Sequence, residues 1–188
     1  ESFILQIQPN SLTLNGSSYQ GTVYVAMNAI DVTDIPSMCA QMPGDLTGIH
    51  DGTLMALRSL GMAAIELRSE TGERLQPASG MPVEMRCTIP AELQSTAPQS
   101  IPLWSFNEAF GLWEFEGTAQ REGNDYVGSA AHFSYWNFDV ESLGVSYTLT
   151  VNYSELPIGF YPLDNAVLFL SGASVGDIPG TTGSNGQV

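Results

Sequence analysis

Short runs in which apolar and polar residues alternate make up most of this chain, and such a period of two is the signature of half-buried strands. Phe3-Ile4-Leu5-Gln6-Ile7 and Ser11-Leu12-Thr13-Leu14 open the series, and Asn15-Gly16 supplies a two-residue hairpin turn after the second. Residues 21–27, 63–68 and 83–89 repeat the pattern with β-branched and aromatic residues, and Glu70-Thr71-Gly72-Glu73 reads as a turn. Ile101-Pro102-Leu103-Trp104-Ser105-Phe106 and Leu112-Trp113-Glu114-Phe115-Glu116 flank a hairpin loop at residues 107–111. Tyr126-Val127-Gly128 follows the turn Gly123-Asn124-Asp125 and runs towards residues 131–139.

Helical periodicity is sparse. Pro90-Ala91-Glu92-Leu93-Gln94 predicts one helical turn, with Pro at its first position. Residues 51–57 read as strand or loop. Gly and Pro recur at spacings of roughly ten residues, as in a β-sandwich. The pattern breaks near residue 140 and restarts with Val145-Ser146-Tyr147-Thr148-Leu149-Thr150-Val151. The expected architecture is therefore an all-β antiparallel sandwich over residues 1–140, followed by a partial β-region over 141–188. Two strands and a turn do not make a stable domain, so the second region either packs on the first or opens a further domain.

Charge narrows the possible partners. The chain of 188 residues has 20 acidic residues against five arginines and no lysine, a formal charge of -15. Such a surface repels phosphate backbones and anionic headgroups, which argues against nucleic-acid binding and membrane association. No apolar run reaches the length of a membrane span. The first residues carry no basic region or small-residue cleavage site, so the chain reads as a mature product or an excised piece of a longer one. Cys39 and Cys87 are compatible with one disulfide or with two buried thiols.

The chemistry concentrates in Ala131-His132-Phe133-Ser134-Tyr135-Trp136. An imidazole stands two residues before a hydroxyl, with the Phe133 carbonyl between them. A serine so placed can attack the preceding carbonyl when a base takes its proton, turning the peptide into an ester that water then cleaves. A planar amide resists such attack, so the reaction asks for backbone strain and an oxyanion hole. A flat strand is the competing reading. It would put His132, Ser134 and Trp136 on one face and Phe133 and Tyr135 on the other.

Other motifs carry less. Gly172-Ala173-Ser174-Val175-Gly176 matches a nucleophile elbow, but Gly176-Asp177-Ile178-Pro179-Gly180 cannot open the helix an elbow needs, and both histidines precede the serine. Asp31, Asp34, Asp45 and Asp51 share a loop-rich region where a calcium site is conceivable, although a solvated acidic loop explains them more simply. His50, beside Asp51-Gly52, reads as a turn residue. Trp104, Trp113 and Trp136 suit a sandwich core better than a sugar-stacking platform. No zinc pattern, phosphate loop or dinucleotide fingerprint is present, so no cofactor is expected.

Several segments in order resemble one family: Met42-Pro43-Gly44-Asp45-Leu46, Ser59-Leu60-Gly61-Met62, Ile89-Pro90-Ala91-Glu92-Leu93, Gly111-Leu112-Trp113, Glu116-Gly117 and the His-Phe-Ser stretch. Over roughly residues 5 to 140 their spacing is similar to the module of cartilage intermediate layer protein and of large secreted or surface proteins of Bacteroidota-type bacteria. That module is in turn similar to ZU5 β-sandwiches, some of which cleave themselves at a His-Phe-Ser triplet. The resemblance implies His132 as base, Phe133 as donor of the attacked carbonyl and Ser134 as nucleophile. Pro162-Leu163-Asp164-Asn165-Ala166-Val167 and the Gly/Thr-rich tail resemble the opening of a carboxypeptidase-regulatory-like module.

The expectation is thus a ZU5-like module of an extracellular or surface protein, of bacterial type. It would perform at most one turnover of self-cleavage between Phe133 and Ser134, and its partners would be its own cleaved fragment and neighbouring domains. The alternative is a structural or adhesive module in which the triplet is silent. A glycan- or calcium-binding domain fits the same fold.

Overall fold

Alternating residues become strands where one face finds a core, and most of the expected ones do. The computed structural model describes residues 2–143, and beyond them the backbone of four short strands. The strands are β1 (Phe3–Gln6), β2 (Leu12–Leu14), β3 (Ser17–Ser18), β4 (Val23–Ile30), β5 (Thr47–His50), β6 (Thr53–Ser69), β7 (Arg74–Pro77), β8 (Val83–Thr88), β9 (Ser100–Asn107), β10 (Leu112–Glu122), β11 (Asp125–Ala130) and β12 (Tyr135–Leu143), with helix α1 at Ile35–Gln41 between β4 and β5. They form one hydrogen-bonded, almost wholly antiparallel path, β1-β8-β11-β10-β9-β12-β6-β7-β2-β3, with β4 paired to β6 and β5 to both β10 and β6. The fold is all-β and sandwich-like.

Two apolar clusters lie on either side of the central strands. The first gathers Leu60, Ile65, Leu67, Leu75, Met85, Leu103, Tyr126, Phe133, Trp136 and Phe138. The second, under α1, gathers Ile30, Met38, Leu57, Met62, Trp104, Phe106 and Trp113. Strand β9 serves both, with Leu103 on one side and Trp104 and Phe106 on the other. All three tryptophans are fully buried, so they are core residues and none of them is exposed to stack on a sugar.

Two β-bulges shift the pattern. In β6, Asn137 of β12 faces Met62 while Asp139 faces Ser59, so β6 carries one extra residue opposite Phe138. This extra residue switches the phase, which is why Leu57 and Met62 share one core while Leu60 and Ala63 share the other. Gly61 sits at the switch, where any Cβ would collide with the Cys87 sulfur. The second bulge lies in β10, where Phe115 pairs Trp104 and Gly117 pairs Leu103, leaving Glu116 as the extra residue. Gly117 has φ +148°, a conformation that L side chains rarely adopt.

The expected helical turn at residues 90–94 is instead a series of i→i+3 turns, with Leu93 N donating to Pro90 O at 2.9 Å. The helix lies at Ile35–Gln41, where Asp34 caps the first turn by accepting from Ser37 N at 3.2 Å and Pro36 occupies the first turn. Cys39 and Cys87 are not joined in a disulfide; Cys39 is half-buried and Cys87 is buried in the first cluster. The boundary expected at residue 140 falls inside β12, whose pairing with β6 continues to Leu143. The rest of the expected region 141–188, Ser174 included, lies outside the described residues apart from the backbone of strands Asn152–Ser154, Phe160–Pro162, Val167–Gly172 and Gly176–Thr181.

Candidate functional site

Strand β11 ends at Ala130 and β12 begins at Tyr135, so the His-Phe-Ser triplet lies in the bend between them and not in a strand. The alternation expected of a flat strand does not apply. Phe133 and Trp136, assigned to opposite faces by that reading, are buried in the same core, while Tyr135 packs on the other. A bend breaks the two-residue period, and burial of the Phe133 ring, worth about 1.5–3 kcal/mol, then decides which way the residue points.

The peptide bond between Phe133 and Ser134 is held on both flanks. Three successive carbonyls each receive a donor: Trp136 Nε1 reaches His132 O at 3.1 Å, Gln76 Nε2 reaches Phe133 O at 3.4 Å, and Ile65 N reaches Ser134 O at 3.0 Å. The Phe133 amide donates to Gln76 Oε1 at 2.7 Å. The positive-φ non-glycine residues among those described are Asn10, Asn15 and Asp51, so Phe133 and Ser134 are not in the left-handed region. The strain the reaction was expected to draw on is absent from φ, and hydrogen bonds restrain the segment instead.

The imidazole is placed by the bulge. Glu116, displaced from the regular pairing of β10, puts Oε1 3.3 Å from His132 Nε2 and accepts from Ser105 Oγ at 2.9 Å. The His132 ring also packs against Trp136, with centroids 5.1 Å apart. Ser134 Oγ donates to Phe106 O at 3.3 Å. Among the described residues, no hydrogen bond joins His132 to Ser134.

A cleft of about 1050 Å³ collects these groups. Its lining includes His132, Phe133, Ser134, Gln76, Glu116 and Ser105, together with β4 residues such as Val25 and Met27. Glu66, also on its wall, binds Arg68 at 2.7 Å and Arg74 at 2.8 Å. Burial opposes ionisation of Glu66, yet the hydrogen bonds and charges of the two arginines hold its carboxyl below the usual range.

The structure thus brings His132, Phe133 and Ser134 to one cleft and adds two residues that sequence reading did not single out, Glu116 and Gln76. Glu116-Gly117 was visible as a motif but not as a carboxylate aimed at a histidine. Gln76 had no signal at all, since it is 57 residues from Phe133 in sequence. His50 proves to be more than a turn residue: its Nδ1 lies 2.8 Å from Glu141 Oε2, and its ring stacks on Phe115 at 3.8 Å. The acidic loop resolves into local roles, Asp31 accepting from Thr33 N and Oγ1 and Asp34 capping α1. Among the described residues no group of three His, Cys, Asp or Glu side chains could hold a metal ion. Nor is any helix among them long and apolar enough to cross a membrane.

A base, a hydroxyl and a clamped carbonyl in one cleft are the parts of an acyl transfer. Comparison with known proteins gives a partial match. The chain is 34% identical over 112 residues to cartilage intermediate layer protein 2 of Homo sapiens, which covers 58% of this chain and 9% of that protein. It is 32% identical over 107 residues to cartilage intermediate layer protein 1 of Mus musculus, covering 55% of this chain and 8% of that protein. The same protein from Sus scrofa is 31% identical over 107 residues, 17% of its length. The chain therefore spans less than a fifth of the curated relatives it matches. No protein-family model matches it. No solved structure matches it either.

Proposed function

We propose that this chain is a self-cleaving, ZU5-like module of a multidomain extracellular or cell-surface protein, cut once between Phe133 and Ser134. The observation that carries this reading is the position of the triplet: a bend lining a cleft, pinned on both flanks, with a carboxylate-paired imidazole and a serine that line the same cleft. In the reaction, Ser134 Oγ turns away from Phe106 O by rotation about its χ1 and attacks the Phe133 carbonyl carbon, while His132 takes the hydroxyl proton. His132 returns that proton to the Ser134 nitrogen as the C–N bond breaks, leaving an ester between Phe133 and Ser134 Oγ. Water then hydrolyses the ester to the Phe133 carboxylate and the free Ser134 hydroxyl.

The two fragments, residues 1–133 and 134–188, would stay together. Strand β12 begins one residue after the bond and is hydrogen-bonded to β9 on one edge and β6 on the other. Its Trp136 and Phe138 are fully buried. The similarity to cartilage intermediate layer proteins supports a place outside the cell, and the motif pattern supports a surface protein of the bacterial kind. Residues 141–188 are read as leading into a second, carboxypeptidase-regulatory-like module.

One observation favours a second reading, a silent structural or adhesive module: Ser134 Oγ is engaged by Phe106 O and not by His132. A denaturing gel with intact mass separates the two. Self-cleavage gives two pieces from the parent and one from Ser134→Ala. An intact parent after prolonged incubation leaves the structural module standing.

A further inference from the structure

The middle carbonyl of the triplet has a donor of its own. Resting on the self-cleavage reading, we infer that Gln76 is a catalytic residue that supplies the oxyanion hole for the Phe133 carbonyl. The Gln76 carboxamide meets Phe133 twice, its Oε1 accepting from Phe133 N at 2.7 Å and its Nε2 donating to Phe133 O at 3.4 Å. An amide has one accepting and one donating end. The short bond from the Phe133 N–H therefore fixes the oxygen end, which leaves the NH2 end turned to the carbonyl that Ser134 would attack. Among the described residues no other donor serves that oxygen.

The contact distance suits the chemistry. At 3.4 Å the bond is long for a ground-state carbonyl. As the carbonyl carbon becomes tetrahedral, its oxygen gains charge and a longer bond to carbon, and a donor already aimed at it strengthens the contact in the transition state. The flanking carbonyls, on Trp136 Nε1 at 3.1 Å and Ile65 N at 3.0 Å, hold the segment in place while the middle one reacts. The donor itself is anchored. Gln76 lies on β7 between the buried Leu75 and Pro77, pairs with Thr13 of β2, and its own carbonyl accepts from Thr13 Oγ1 at 3.2 Å. Core-facing neighbours on both sides turn its side chain to the cleft.

Pulse-labelled synthesis of the full chain, followed by denaturing gels, reads the first-order cleavage rate. The parent is compared with Ser134→Ala, with Gln76→Glu and with Gln76→Met. Glutamate keeps the shape and the acceptor for Phe133 N but puts negative charge where the oxyanion forms; methionine keeps the length without the charge. Thermal melting of each variant reports folding separately. Both Gln76 variants are expected to cleave about 100- to 1000-fold more slowly than the parent while melting as a folded chain. Cleavage of both within threefold of the parent would overturn the assignment and leave self-cleavage intact. A parent as uncut as Ser134→Ala would overturn the self-cleavage reading, and the role of Gln76 with it.

Discussion

His50 and His132 are the two histidines of this chain; each faces a glutamate and touches an aromatic ring, and β12 lies between the two pairs. His50 is the tighter pair. It lies 2.8 Å from Glu141 and is stacked face to face on Phe115 at 3.8 Å. It closes β5 against the far end of β12, beside the turn formed by Asp51 and Gly52 at positive φ. Among the described residues no hydrogen bond joins the His50 ring to a hydroxyl or to a backbone carbonyl. His132 has the longer contact, 3.3 Å to Glu116, and sits in the bend before β12 on a cleft that also holds Ser134, Phe133 and Gln76. On the proposed function, the third and fourth groups nearby make one histidine–carboxylate pair a reaction centre and leave the other a tie.

The comparison is broken most directly by exchanging its members. On the proposed self-cleavage, His132→Ala is expected to slow cleavage by roughly 100- to 10,000-fold, whereas His50→Ala leaves the rate unchanged and costs about 1 kcal/mol of stability through the lost pair and stack. Cleavage assays beside chemical denaturation check both, and equal effects of the two variants on the rate would erase the distinction. The next effect concerns the bulge that aims Glu116. Gly117→Ala asks an L residue to adopt φ +148°, at a cost of about 1–3 kcal/mol, and the resulting drift of Glu116 is expected to slow cleavage by up to about 100-fold. Denaturation midpoints and rates measured together test whether the two losses travel together.

The smallest effect lies between the two pairs. Asp139 is fully buried beside Asn137, which donates to its Oδ2 at 2.7 Å, and its Oδ1 has no partner. Burial raises its pKa well above 3.8 and outweighs the lowering effects of the nearby Ser59 hydroxyl, which donates to Asn137 Oδ1, and of the Arg58 charge. The unfolded chain loses this proton as pH rises past its ordinary value while the folded chain keeps it, so stability falls with rising pH from about 4 upward until the folded state ionises too. Asp139→Asn is expected to flatten that fall and to melt higher than the parent at neutral pH, with cleavage unaltered. Melting curves across pH 4 to 7 measure it; a slope equal to the parent's counts against the claim.

Much of the fold was legible from residues alone. Alternation located the strands around Val25, Ile65, Met85, Leu103 and Trp113, and the hairpin turn at Asn15-Gly16 formed with both residues at positive φ. Helix α1 was not legible, because seven residues with a single buried side chain, Met38, leave no helical period to detect. The cap at Asp34 with Pro36 behind it was the signal available. Of the site, only the triplet could be read, since its three residues are adjacent in the chain. Glu116 is brought to His132 by an irregularity in pairing, and Gln76 reaches Phe133 because β7 and the β11–β12 bend meet along the edge of β6.

The amino-acid sequence by itself determined an all-β chain, an acidic surface and a hydroxyl next to a peptide carbonyl, because periodicity, charge and covalent adjacency are local properties. Tertiary structure decided that the triplet bends instead of running flat, that one histidine faces a cleft while the other closes a strand, and that Gln76 holds the carbonyl in question. Those depend on contacts between residues far apart in the chain, and bulges and burial set them in ways no local pattern encodes.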